Sequence, residues 1–379
     1  MKQRISEFLK RLLMREICRM DIILKSIVAI FLVMGAMDYA FSNRFGLGAE
    51  FERGLMTSGR LLLCMTGFMI LAPVIARFLT PAVAPIFRVF GADPSILAGL
   101  ILANDAGGAA LAMEMAQSPE AGLYSGQIVG AMMGTTVMLG IPVMMGQIDQ
   151  ENSSSIIYGL LCGICTVPVG CIVGGLITGY DLYMLFCNTI PVFFIAVILL
   201  VGLVWFRKIL IPIFMVFGKC LTVFGCLGLA LGGMEYLLHV KLLPESASME
   251  EVFSIIGGIT LFLGGIFPFA ELLRRLCRGP LGKVGNKLSI NQTAVSGLLL
   301  TLANCMPTFG LLKEMDEKGR MLNTAFIVSA SCTFGDHLAY VTQTAPDLTA
   351  AVLLGKLAGG VSAIMISNLL YERLCTHVG

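Results

Sequence analysis

Three short runs in this chain place polar groups among apolar neighbours: Ala103-Asn104-Asp105-Ala106-Gly107-Gly108, Leu302-Ala303-Asn304-Cys305-Met306-Pro307, and Thr333-Phe334-Gly335-Asp336-His337. Their chemistry is that of a cation site. The carboxylates of Asp105 and Asp336 would hold an ammonium group through charge-assisted hydrogen bonds, and the amides of Asn104 and Asn304 would meet a hydroxyl. Phe309, Phe334 and Tyr340 would offer a ring face to a positive charge. A small amino alcohol fits this inventory, and so do Na⁺ and a proton. His337, next to Asp336, is a proton-relay candidate because imidazole titrates near neutrality, although a histidine here would also serve simply by fixing packing.

Carboxylates at membrane depth cost about 2.5 to 3.5 kcal/mol on insertion scales, so they pair with a partner or face a pathway. The elements carrying them must also be interrupted. Gly107 and Gly108 weaken a helix, Pro307 removes a helical hydrogen bond, and Gly335 precedes Asp336 as a further breaking point. Interrupted, polar-bearing segments at matching places in two halves of a chain point to a transporter's midplane site.

Composition fixes the class. Of 379 residues, 57% are hydrophobic and 13% charged, and the mean hydropathy is +0.87, which no water-soluble globule can wrap. Apolar runs near twenty residues without two-residue alternation mean helices. The expected fold is all-α, a polytopic membrane helix bundle of about 10 to 12 segments with two internal repeats and discontinuous helices. A formal net charge of +2, with no basic run interleaved with aromatics, excludes a nucleic-acid partner. The 12 cysteines lie mostly within apolar segments at irregular spacing and are read as packing residues. Cys162 and Cys165 have C-x-x-C spacing but no second ligand pair nearby. No metal, cofactor or catalytic residue is expected.

Residues 1–19 read as a basic amphipathic interface helix, with Lys2, Arg4, Lys10, Arg11, Arg15 and Arg19 set against an apolar stripe. Residues 20–379 read as one transmembrane domain. Candidate segments fall near 22–42, 54–79, 94–116, 121–146, 155–178, 182–206, 209–239, 252–275, 290–313, 321–345 and 348–371. If Lys/Arg bias sets orientation, the N-terminus, Arg77 with Arg88, Arg207-Lys208 and the cluster from Arg274 to Lys287 are all cytoplasmic, and every early segment crosses. Lys313, Lys318 and Arg320 then fall outside unless the ninth segment is re-entrant. Were the third segment also re-entrant, Arg207-Lys208 would change sides, and charge alone leaves this open.

An internal repeat is visible at a spacing near two hundred. Asn104 parallels Asn304, Glu114-Met115 parallels Glu314-Met315, Ile128-Val129 parallels Ile327-Val328, and Gly134 stands near the counterpart of Gly335. The units would span about 54–178 and 252–371. Among other polar residues, Lys356 would either snorkel or balance a buried carboxylate.

The runs Leu102 to Gly108, Leu302 to Asn304, Lys313 to Arg320, Leu322 to Ala330 and Phe334 to Leu338 resemble the bacterial ethanolamine permease family, the EutH proteins of ethanolamine-utilisation operons. The resemblance covers most of the chain and is strongest from 290 to 345. It implies a multi-pass inner-membrane permease for ethanolamine, without enzymatic activity, and it assigns no binding residues. Facilitated diffusion is expected, with no ATP use because no phosphate-binding loop is present. The alternatives are an H⁺- or Na⁺-coupled symporter of a small amine and, more remotely, an intramembrane aspartyl protease using Asp181 and Asp336. A homodimer is compatible with the glycine-rich helices.

Overall fold

A computed structural model of the chain describes residues 2–146, 153–276 and 278–376; the side chains of residues 1–20, 153, 278–281, 284 and 374–376 fall outside that description. Helices dominate the described residues, among which there is no strand. In chain order the helices are α1 (Lys2–Ala40), α2 (Leu47–Met56), α3 (Ser58–Arg88), α4 (Ile96–Ile101), α5 (Ala109–Met115), α6 (Pro119–Leu123), α7 (Ile141–Gly146), α8 (Ser153–Thr178) and α9 (Leu182–Trp205). They continue as α10 (Arg207–Leu238), α11 (Met249–Leu276), α12 (Arg278–Leu288), α13 (Gln292–Ala303), α14 (Cys305–Leu311), α15 (Glu317–Ala330), α16 (Asp336–Thr344) and α17 (Thr349–Thr376). Wide π-helical turns over Asn104–Gly108, Tyr124–Gly134 and Thr136–Gly140 link the short helices of the first half.

Among the described residues, eight stretches are long and apolar enough to cross a bilayer: Asp21–Ala40, Leu47–Arg88, Pro119–Gly146, Ser154–Thr178, Leu182–Trp205, Arg207–Leu238, Met249–Leu276 and Pro346–Arg373. The chain is a multi-pass membrane protein. The three remaining expected segments, near 94–116, 290–313 and 321–345, are the interrupted ones. The amphipathic character expected of residues 1–19 lies outside the described side chains, and their backbone continues directly into the first span.

Two of the interrupted segments are re-entrant hairpins, because their ends are tied together. Asp93, at the start of the first, accepts hydrogen bonds from the backbone N–H of Ser95 and of Gln117, both at 2.9 Å. In the second, the N–H of Asn291 donates to Asp316 at 2.8 Å and its side-chain amide donates to the Glu314 carbonyl at 3.0 Å. Each hairpin therefore returns to the face it left. The third interrupted segment, α15 and α16, crosses from the Asp316 end to Thr344, beside Gln127.

These tethers correspond to the alternative that charge alone left open, with both segments re-entrant. With α4–α5 folded back, Arg207-Lys208 and the Arg274–Lys287 cluster lie on the face opposite Arg88, where Arg275 donates to the Phe45 carbonyl at 2.6 Å. The basic clusters are thus divided between the two faces, and Lys/Arg bias no longer selects a cytoplasmic N-terminus. Sequence spacing raises re-entrance at both segments without deciding it, since closure depends on the carboxylates of Asp93 and Asp316 capping distant backbone.

Packing joins α8, α15 and α17 in one cluster and α1, α2 and α11 in another, with α3 lying along α10. The α8–α17 crossing is close. A Cβ added at Gly170 would meet the Gly355 carbonyl oxygen at 2.8 Å, and one at Gly355 would meet that of Gly170 at 2.8 Å. Small residues let two backbones approach where lipid supplies no hydrophobic drive.

Candidate functional site

The first interruption follows α4, where Leu102 and Ala103 turn extended (ψ 140° and 148°) and free their carbonyls from the helix. The chain recloses as the N–H groups of Ala106 and Gly108 donate to the Ala103 carbonyl at 3.1 and 2.9 Å. Gly107 makes this possible: its φ of +87° lies in the left-handed region, and a Cβ there would run into the side chain of Phe68 on α3. Asn104 and Asp105 are held buried at this turn.

In the second half the interruption falls at Asn304, which is extended (φ −159°, ψ 124°) and caps α14 by accepting from the Met306 N–H at 2.9 Å. Pro307 lies in the first turn of α14, where its missing N–H has no intrahelical partner to lose. The carbonyls exposed at the end of α13 are then used by the unwound link between α15 and α16. The N–H of Cys332 donates to Thr301 at 2.9 Å and that of Phe334 to Leu302 at 2.7 Å. Two broken helices thereby satisfy one another's backbone, as hydrocarbon requires. Gly335 permits the approach, because a Cβ there would strike the Ala303 carbonyl oxygen.

The two halves meet where α16 begins. The Asn104 side-chain amide donates to the His337 carbonyl at 3.3 Å. His337 Nε2 lies 3.7 Å from Asp105 Oδ1 and 3.4 Å from Thr135 Oγ1, and its Nδ1 lies 2.9 Å from Lys356 Nζ. Lys356, fully buried on α17, also donates to the Ala131 carbonyl at 2.5 Å. A lysine ammonium can only donate, so Nδ1 is the acceptor and the imidazole proton sits on Nε2, facing Thr135 and Asp105. Asp336, half-buried at the first turn of α16, accepts from the His337 N–H at 3.2 Å and lies within electrostatic reach of Asp105.

The expected site residues divide. Asn104, Asp105, Asp336 and His337 come together. Tyr340 is buried within electrostatic reach of Asp105. Phe334 lines a cavity of about 90 Å³ whose walls include Glu50, Arg53, Glu271 and Arg274. Phe309 is packed in the apolar core with Leu312 and Met315, and Asn304 spends its side-chain oxygen on the α14 cap. Asp181 caps α9 from an exposed position, accepting from Tyr183 and Met184, so its carboxylate is committed there.

Lys356 and Thr135 are the members that sequence reasoning left outside the site. A signal for Lys356 exists: Gly170-Cys171-x-x-Gly174-Gly175 on α8 recurs as Gly355-Lys356-x-x-Gly359-Gly360 on α17, with lysine where the first copy has cysteine. One asymmetric charge in a matched pair of helices marks a place where something other than packing is at stake.

Metal-ligand chemistry is also present. Cys332, Asp336 and His337 bring donor atoms within 4.8 Å of one another. However, the Nδ1 lone pair of His337 is already taken by the Lys356 ammonium, which would repel a metal ion at that nitrogen.

The run Lys313 to Arg320 builds the second hairpin's base, and the Leu322–Ala330 run continues from it as α15, packed on α8 and α17. Asp316 caps α15 through Gly319, Arg320 donates to the carbonyls of Leu312 and Met315, and Asn323 donates to those of Ala294 and Gly319.

Comparison with known proteins bears on this arrangement as follows. The family profile described as "Ethanolamine utilisation protein, EutH" matches residues 20–370. A probable ethanolamine permease EutH of Listeria monocytogenes is 41% identical over 349 residues, covering 92% of this chain and 93% of that one. The probable ethanolamine permease EutH of Escherichia coli is 36% identical, covering 93% and 95%. The uncharacterized protein YxeR of Bacillus subtilis is 40% identical, covering 89% and 91%. No solved structure matches the chain.

Proposed function

The chain belongs to the EutH family of ethanolamine utilisation proteins, and from that premise we propose that it is an inner-membrane permease carrying protonated ethanolamine by facilitated diffusion. The observation that carries this reading is the meeting of Asp105, Asp336 and Asn104 at two helix interruptions. The carboxylates receive the ammonium group. Asn104 Oδ1, buried and without a protein partner among the described residues, accepts from the hydroxyl, which explains an otherwise costly orphan acceptor.

Protonated amine does not cross hydrocarbon, whereas the neutral form leaks through unaided. A carrier with a negatively lined site therefore serves the charged form, and its value grows in acidic surroundings. The units of about 54–178 and 252–371 act as repeats of opposite orientation, since one hairpin is based on the face of Gln117 and the other on the face of Glu314. Such inverted units support alternating access around a fixed midplane site.

Proteoliposomes containing the purified protein should equilibrate radiolabelled ethanolamine at pH 6 faster than protein-free liposomes, without accumulation above the external concentration. Absence of protein-dependent equilibration would overturn the permease reading. Accumulation that follows an imposed H⁺ or Na⁺ gradient would replace facilitated diffusion by symport.

A further inference from the structure

We propose that Lys356 is a resident counter-ion that sets the charge of the transported molecule, making the site accept one monovalent cation and reject dications. The proposal rests on the ethanolamine reading only for the choice of test monocation.

The charged and titratable groups facing Lys356 come from every element around it. Asp105 lies on the turn before α5, Asp336 and His337 lie on α16, and the thiols of Cys305, Cys332 and Cys171 come from α14, the α15–α16 link and α8. Asp105 and Asp336 supply two carboxylates and Lys356 supplies one ammonium, while the exposed Arg60 at the start of α3 also acts on Asp105. His337, accepting at Nδ1 from Lys356, is neutral in this arrangement. Two carboxylates therefore share one resident ammonium at this place. A carboxylate pair that shares one resident ammonium has room for one further ammonium, so one monocation completes the site.

A dication would bring a second positive charge beside an ammonium that cannot withdraw. Lys356 has no exposed surface, and its donors are fixed on the Ala131 carbonyl and His337. The matching position on α8 is Cys171, also buried, which shows that the glycine-lined helix crossing does not itself require a lysine. The charge is extra to the packing.

Ligand affinity in detergent, read by thermal-shift titration at pH 6, tests this without requiring transport. Ethanolamine serves as the monocation and propane-1,3-diamine as the dication. The wild type should favour ethanolamine by at least about tenfold, a factor worth about 1.4 kcal/mol. In Lys356→Met that ratio should fall at least about tenfold, while Lys356→Arg should keep it. Lys356→Gln, which retains donors for Ala131 and His337, gives the same reading if the methionine variant does not fold.

A merely structural lysine would weaken both amines together and leave the ratio unchanged. An unchanged ratio in a folded Lys356→Met or Lys356→Gln protein overturns the proposal. So does a wild type without monocation preference, or one stabilised by neither amine. Wild-type proteoliposomes that fail to move ethanolamine would instead count against the permease reading, whatever the ligand ratio.

Discussion

Asn104 donates its side-chain amide to the backbone carbonyl of His337 at 3.3 Å, across a sequence separation of 233 residues. That single bond fastens the tip of the first hairpin to the first turn of α16, the element that carries Asp336. It brings the buried carboxylate of Asp105 and the half-buried one of Asp336, from the two halves of the chain, into one place, and the predictions below follow from that closure.

Asp105→Asn and Asp336→Asn should each lower ethanolamine uptake at pH 6 by about 10- to 100-fold, the loss of a charge-assisted contact worth about 1.5–3 kcal/mol. Initial rates of radiolabelled uptake, normalised to the amount of protein in the membrane, measure this. Unchanged rates in both variants would remove the cation site.

The share of uptake that depends on the protein should rise as external pH falls. An alkyl amine titrates near about 10, so each unit below that reduces the neutral, leaking form about tenfold while the charged form stays nearly constant. Rates with and without protein, compared from pH 5 to 8 at fixed total ethanolamine, check the sign. A protein-dependent component that shrinks tenfold per unit in parallel with the leak would identify neutral amine as the carried species.

The two hairpins should open to opposite faces. Cysteine introduced at Gln117, at the base of the first, and at Lys313, near the base of the second, should react with an impermeant maleimide from opposite sides of oriented vesicles. Labelling of both from one side, above the background of native cysteines, would exclude the re-entrant path.

Gly107→Ala should reduce thermal stability, because the residue would have to hold φ near +87° and place its methyl against Phe68. Left-handed strain alone costs about 1–3 kcal/mol, and the steric conflict adds to it. A melting temperature equal to wild type would show that the first interruption does not need this geometry.

Asp316→Ala should also lower stability, by about 1–3 kcal/mol, since it removes the α15 cap and the tether to the Asn291 N–H. Its effect on substrate preference should be nil, because Asp316 belongs to the hairpin base. A changed ratio among small amines in the folded variant would place this residue closer to the pathway than its bonds indicate.

Much was legible from residue order. Apolar content dictated helices in lipid, because only structures that satisfy their own backbone can stand there. Glycine and asparagine at 104–108 and 304 marked where helices fail, since local conformation governs such breaks. Gly335 marked a break beside the ionisable pair Asp336 and His337.

Tertiary structure decided the rest. Whether a broken helix crosses or returns depends on Asp93 and Asp316 reaching backbone groups more than twenty positions away, and no local pattern records that reach. Phe309 and Asn304 shared the polar neighbourhood in sequence, yet packing and capping claimed them. Lys356, weighed only as a snorkelling or balancing charge, proved fully buried against His337, because a side chain's electrostatic role is set by what surrounds it in space. Residue order fixed the kinds of groups held in the bilayer; only the fold determined which charges face one another.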